Sequence, residues 1–297
     1  MAAHPDIRIG TLVKGDHPDV GGYIRSLLPH GFESFQITFW RTLGNVDLKR
    51  LADEVLAAID GHDVVISAVG CYGNSIGSRP IDRETWSGLE ALVEHASRFG
   101  CSTVGCFTGR IVDQPLRESV PAVAEQFKPL IERAGERGLN IAFENCPMQG
   151  DWQRGDFNIA HDPRAWELLF EALPQPNIGL EWEPCHQLMN LIDPLPQIAE
   201  WGHRFLHVHG KDATIRQDVI RRFGVRGEEP YGWHRTPGFG DSDWTAIISE
   251  LRRIGYRGSI DIEGWHDPVM RDELELTGQV HALHHLKRAR GGDFIVI

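Results

Sequence analysis

No stretch of this chain is long and apolar enough to cross a membrane. Its opening residues, MAAHPDIRIG, lack the basic segment and apolar core of an export signal. Both absences lead us to expect a cytoplasmic protein that works away from membranes. Cationic side chains are also scarce: 30 Lys and Arg stand against 42 Asp and Glu, a formal charge of −12. That balance opposes nucleic-acid binding, which draws its affinity from a basic face. The five cysteines, Cys71, Cys101, Cys106, Cys146 and Cys185, are odd in number and form no CxxC pair. A disulfide framework is therefore not expected, and the thiols read as small buried apolar groups. No Ser/Gly/Pro-rich linker divides the 297 residues, so we expect one domain over 1–297. With 41% hydrophobic and 24% charged residues, the chain has the make-up of a globular protein with a large core.

What the second half does contain is a repeated pattern. Asn140–Glu144, Asn177–Glu183, Phe205–His209 and Ser259–Glu263 each alternate ionisable and apolar residues with a period of two. As strands they send Ala142 and Glu144, Glu181 and Glu183, His207 and His209, and Asp261 and Glu263 to one face. Ile141, Phe143, Leu180, Trp182, Leu206, Val208, Ile260 and Ile262 go to the other. Helical patterns separate the four, so the sheet is expected to be parallel and covered by helices, with its ionisable face enclosed. Carboxylates and imidazoles buried together are costly unless paired or bound to a cation.

Four more strands, beginning near Ile7, Ser34, Asp63 and Thr103, bring the count of strand-then-helix units to eight. Helical runs over residues 46–59, 83–99, 119–137, 163–172, 194–201, 244–254 and 273–288 carry the expected punctuation. Asp47 and Asp243 precede two of them, while Gly61, Gly100, Gly138 and Gly255 follow others. Eight such units in one chain of this length predict an α/β fold, a single (β/α)₈ TIM barrel. The long connection 211–242 is expected to lie over the barrel mouth as a substrate-binding loop.

In such barrels chemistry sits at the C-terminal strand ends. Glu144, Glu183, His209 and Glu263 occupy the last inward positions and form the expected metal-ligand set. Glu181, His207 and Asp261 lie one layer deeper, placed to orient those ligands. Three carboxylates, one imidazole and no thiolate suit one divalent cation, Mn²⁺, Mg²⁺ or Co²⁺, with Zn²⁺ also within range. His186, just after the sixth strand, is placed for substrate contact. Lys211 and the loop arginines read as solvated charges, with Arg216 and Arg235 suited to a polar or anionic substrate. Trp40, Trp233 and Trp265, at or beyond strand ends, are candidates for a sugar-facing wall.

The ordered segments AFENCP, GLEWEPCHQLMNLIDP, FLHVHGKDA, PGFGDSDW and GSIDIEGWHDP resemble the sugar phosphate isomerase/epimerase family with the xylose-isomerase-like barrel. That family includes ketose 3-epimerases, hydroxypyruvate isomerase and inosose dehydratase. The resemblance spans essentially the whole chain. It implies that Glu144, Glu183, His209 and Glu263 bind one divalent cation and that the substrate is a small sugar or keto-polyol. Glu183 stands where the family usually has Asp, and the segment after Glu144 lacks the additional substrate-binding Glu of the epimerases. The implied chemistry is proton abstraction beside a carbonyl through an enediolate, with Glu144 and Glu263 as the proton carriers. The same first step serves a lyase that expels water or a glycosidic oxygen, the runner-up expectation. An endonuclease-IV-like phosphodiesterase or a non-catalytic sugar-binding protein fits less well. Oligomeric state is left open, a homo-oligomer included.

Overall fold

The computed structural model describes residues 6–292, so residues 1–5 of the opening segment lie outside the described residues. The predicted α/β class is borne out. Eight strands close into a barrel: β1 (Arg8–Lys14), β2 (Ser34–Trp40), β3 (Val65–Tyr72), β4 (Thr103–Cys106), β5 (Asn140–Glu144), β6 (Ile178–Trp182), β7 (Phe205–Gly210) and β10 (Ser259–Ile262). Their order around the barrel is β1-β10-β7-β6-β5-β4-β3-β2. Two further strands, β8 (Asp212–Ile215) and β9 (Gly232–Arg235), form a separate antiparallel pair. This (β/α)₈ arrangement divides into two compact units, residues 12–182 with 204–207, and residues 6–11, 183–203 and 208–292.

In the larger unit β2 to β6 pair with one another in chain order, all parallel. The period-two alternation settles their faces. Phe143, on the apolar face of β5, meets Phe127 of α4 (Leu116–Glu136) edge-on, with ring centroids 5.1 Å apart. Trp86 of α3 (Pro80–His95) packs against the same Phe127 at 5.4 Å. The fully buried Phe127 and Phe143 each remove a large apolar area from water, the main source of cohesion between strand and helix layers. Helices begin where the sequence supplies caps. Asp47 accepts from the backbone N–H of Lys49 and Arg50 at the start of α2 (Leu48–Ile59), and Asp162 does so from Ala165 before α5 (Pro163–Ala172). The early helix α1 (Val20–Leu27) is missing from the sequence reading because its eight residues hold two glycines and too few apolar repeats.

In the smaller unit β10 pairs in parallel with β1 and with β7, setting Asp261 beside His209. Helices α6 (Pro184–Met189), α7 (Pro194–Trp201), α9 (Trp244–Arg253) and α10 (Glu275–Arg290) belong here. Residues 211–242, expected as an open loop, carry structure of their own: β8, α8 (Gln217–Phe223) and β9. The hairpin is anchored by Asp212, which is buried and accepts from Ser242 N at 3.0 Å and from Trp244 Nε1 at 3.1 Å. Its four-residue strands are too short for periodicity to reveal. All five cysteines are buried and free, as expected. No helix among the described residues is long and apolar enough to cross a membrane.

Candidate functional site

The inward residues of the larger unit form a polar layer built around Glu181. Its Oε1 accepts from Gln36 Nε2 at 2.6 Å and lies 3.0 Å from His207 Nδ1, while Oε2 accepts from the Tyr72 hydroxyl at 2.6 Å. Gln36 also donates to Tyr72 at 2.7 Å. Space for this network depends on Gly105, where a Cβ would come within 2.5 Å of the Tyr72 hydroxyl and 2.8 Å of Glu181 Oε1. Burial, then the negative charges of Glu181 and Glu144, push the Tyr72 hydroxyl well above its ordinary pKa, so it stays a donor. Glu181 and His207 are thus both buried and joined within this one layer. Gln36 and Tyr72 went unread, although Ser34, Gln36 and Thr38 recur at a spacing of two along β2 and so mark a polar face.

Glu144 ends β5 and is 5% exposed. Its carbonyl oxygen accepts from Asn158 Nδ2 at 2.7 Å, and the same amide also donates to the carbonyl of Cys146, at 2.8 Å, fixing the chain as it leaves the strand. Trp40, at the end of β2 and more than half exposed, stacks on Phe157 at 5.8 Å and meets Phe107 edge-on at 6.5 Å. It presents an exposed aromatic face at the end of β2.

The smaller unit holds the ionic cluster. Strand β6 ends at Trp182, one residue short of the expected end, and Glu183 becomes the residue preceding α6. Its Oε1 lies 2.5 Å from His186 Nε2. Glu263, just beyond β10, has Oε2 3.3 Å from His209 Nδ1 and Oε1 2.6 Å from Lys211 Nζ. Lys211 Nζ also lies 4.0 Å from Glu183 Oε1. Burial alone would raise the Glu263 pKa, but the Lys211 ammonium and His209 hold it well below the ordinary carboxylate range. Glu183, His209, Lys211 and Glu263 are all nearly inaccessible, and Asp261 is fully buried beside them on β10.

Lys211 corrects the sequence reading: it is not a solvated charge but is 2% exposed and ion-paired with Glu263. The signal was present, since Lys211 follows His207 and His209 at the same spacing of two. The other residues singled out lie on the hairpin and the loop after β10. Arg216 reaches Asp218 at 3.3 Å and Glu229 at 3.6 Å and lies over the ring of Trp233 at 5.4 Å. Arg235 is engaged by Asp267 at 3.2 Å, which the backbone N–H groups of Thr236, Val269 and Met270 also satisfy. Trp233 is exposed and Trp265 half-buried. His186 is buried, with the ring of His234 edge-on to it at 5.0 Å. Burial, with the Lys211 charge second, lowers the His234 pKa to about 2, so this imidazole is neutral.

Candidate metal-binding groups therefore exist here. Two carboxylates and an imidazole from Glu183, Glu263 and His209, buried and brought together around Lys211, have the donor chemistry that a divalent cation requires. A separate group, Cys185, His186 and His234, offers donor atoms all within 4.8 Å of one another.

Among known proteins, the chain is similar to the rhizopine catabolism protein MocC of Rhizobium meliloti, 27% identical over 170 residues, 55% of this chain and 48% of MocC. It is 26% identical over 114 residues to inosose dehydratase of Clostridium tetani, 37% of this chain and 38% of that protein. The matched regions thus span less than half the length of each of these two relatives. The solved structure of the 3-keto-D-glucoside 4-epimerase YcjR of E. coli superposes with a TM-score of 0.69 at 17% identity, covering 95% of this chain and 99% of that one. That likeness establishes a shared fold. The family model for the xylose isomerase-like TIM barrel matches residues 24–289, and the chain belongs to that family.

Proposed function

We propose that the protein is a divalent-metal-dependent sugar or keto-polyol isomerase or epimerase. The observation that carries the reading is Glu263: a buried carboxylate kept ionised by an ammonium at 2.6 Å, with His209 at 3.3 Å and Glu183 close to the same lysine. Glu183, His209 and Glu263 would hold the cation, with Glu144, the buried terminal carboxylate of β5, as the fourth ligand of the expected set. When bound, the cation would polarise a substrate carbonyl and stabilise the negative charge that deprotonation of the adjacent carbon creates.

The side chains supply the remaining steps. Glu144 and Glu263 are proposed as the proton carriers, one accepting the proton from the substrate carbon and the other returning it. Lys211 keeps Glu263 ionised and therefore able to accept. His207 and Glu181 are proposed as bracing groups, and the fully buried Asp261 sits in register with His209. Trp40, Trp233 and Trp265 are proposed as stacking faces for the sugar, with His186, Arg216 and Arg235 as polar contacts. Residues 211–242 are proposed to act as the mouth loop of a single catalytic domain, in the cytoplasm.

A lyase reading has its own support. One relative is named inosose dehydratase, and His186, with Glu183 at 2.5 Å, is a buried group able to deliver a proton to a leaving oxygen. Keto-sugars and inososes presented in D₂O with Mn²⁺ separate the two. Product that gains deuterium and keeps all its heavy atoms supports isomerisation or epimerisation. Loss of water or an aglycone as the main outcome makes the lyase reading correct.

A further inference from the structure

Cys185 and His186 are adjacent in the first turn of α6, which Pro184 opens and Glu183 precedes. Cys185 is fully buried and His186 is 3% exposed. His234 comes from β9 of the hairpin, its ring centroid 5.0 Å from that of His186, and the ring of His266 lies 6.0 Å beyond it. The Nδ1 atom of His234 is buried and makes no hydrogen bond among the described residues. One sulfur and two imidazole nitrogens thus converge within 4.8 Å of one another, with the Glu183 carboxylate alongside as a source of negative charge. This donor set differs in kind from the oxygen-rich one at Glu183, His209 and Glu263. Thiolate and imidazole select borderline ions such as Zn²⁺ and Co²⁺ and discriminate against Mg²⁺ and Mn²⁺.

We propose that Cys185, His186 and His234 form a second cation site, specific for Zn²⁺-like ions. The Cys185 thiol gives up its proton to solvent as it becomes a ligand. Three protein donors leave a coordination position open, the arrangement of a site that meets substrate rather than one that only staples the fold. It also gives the short hairpin a ligand of its own, His234, at the candidate centre. His186 then serves as a ligand instead of a bare substrate contact, and because Glu183 beside it belongs to the other proposed site, the thiolate band is what reports on this site alone.

Sulfur makes the test specific. The full-length protein, stripped with a chelator, is titrated with Co²⁺ while bound metal is counted and the near-ultraviolet thiolate-to-cobalt charge-transfer band is followed. The proposal expects two ions per chain and a clear band. Cys185→Ser should abolish the band and one of the two ions, and His234→Gln should weaken that ion by on the order of tenfold or more. Glu263→Gln should leave the band in place, which separates failure of this site from failure of the other. No band at saturation would overturn the proposal, as would a band that survives Cys185→Ser and disappears in Cys146→Ser. If Cys185→Ser does not fold, zinc-edge X-ray absorption of the wild-type protein with Zn²⁺ decides. One sulfur at about 2.3 Å supports the site, and a shell of only nitrogen and oxygen overturns it.

Discussion

Glu181 in the larger unit and Glu263 in the smaller are both buried carboxylates, yet they are satisfied in opposite ways. Glu181 meets polar neighbours that need carry no charge: Gln36, the Tyr72 hydroxyl and His207, all within 3.0 Å. Glu263 faces an ammonium and an imidazole, Lys211 at 2.6 Å and His209 at 3.3 Å. The first arrangement is a hydrogen-bonded network of the kind that stiffens an interior. The second concentrates charge at a strand end, where a barrel of this kind meets its substrate. The difference fits the proposal that Glu181 acts as a brace while Glu183, His209 and Glu263 are kept for chemistry, although all lie on neighbouring positions of the same alternating pattern.

The comparison is broken most severely by removing the ammonium. Lys211→Met leaves Glu263 buried without its counter-charge, which costs about 3–5 kcal/mol when one partner of a buried pair is lost. Thermal unfolding should show this in the chelator-treated protein, and added Mn²⁺ should recover much of the loss. Next in size, Glu263→Gln keeps the shape but removes the charge and the proton carrier. Turnover should fall by on the order of 10²-fold or more. Metal content must be measured beside the rate, since loss of the ion alone would also slow the reaction.

Tyr72→Phe acts on the other unit and should cost about 2 kcal/mol of stability through loss of the hydrogen bond from the hydroxyl to the Glu181 carboxylate. Metal occupancy should stay unchanged, which a metal count on the purified variant checks. The smallest effect is a pH dependence at Asp267. Burial would raise its pKa, but backbone N–H groups of Met270, Thr236 and Val269 and the Arg235 side chain bring it below the ordinary value. A depressed carboxylate stabilises the fold above its unfolded pKa, about 3.9, and that contribution is lost as pH falls through the folded value. The stability gap between wild type and Asp267→Asn should therefore be widest at neutral pH and narrow below about pH 4.

Much of this was legible in the chain because barrel strands impose a strict period of two. Asn140–Glu144 and the other three segments gave strand positions within a residue or two, and with them the burial of Glu144, Glu183, His209 and Glu263. Lys211 was lost at a boundary: the strand was read as stopping at His209, and the alternation carries one step further. The hairpin of β8 and β9 escaped because four-residue strands offer too few repeats, and α6 because six residues make fewer than two turns. Gln36 and Tyr72 lie on strands far apart in sequence from Glu181, so their shared acceptor appears only once the strands are paired.

The most direct test of the division between brace and ligand is a metal count on two matched variants. Glu183→Gln and Glu181→Gln remove the same charge from positions two residues apart. After chelation and reloading with Mn²⁺, Glu183→Gln should lose most of the bound ion, while Glu181→Gln should retain it, with lower thermal stability. Full occupancy in Glu183→Gln, together with loss in Glu181→Gln, would contradict the account and place the ligand one layer deeper than the strand ends.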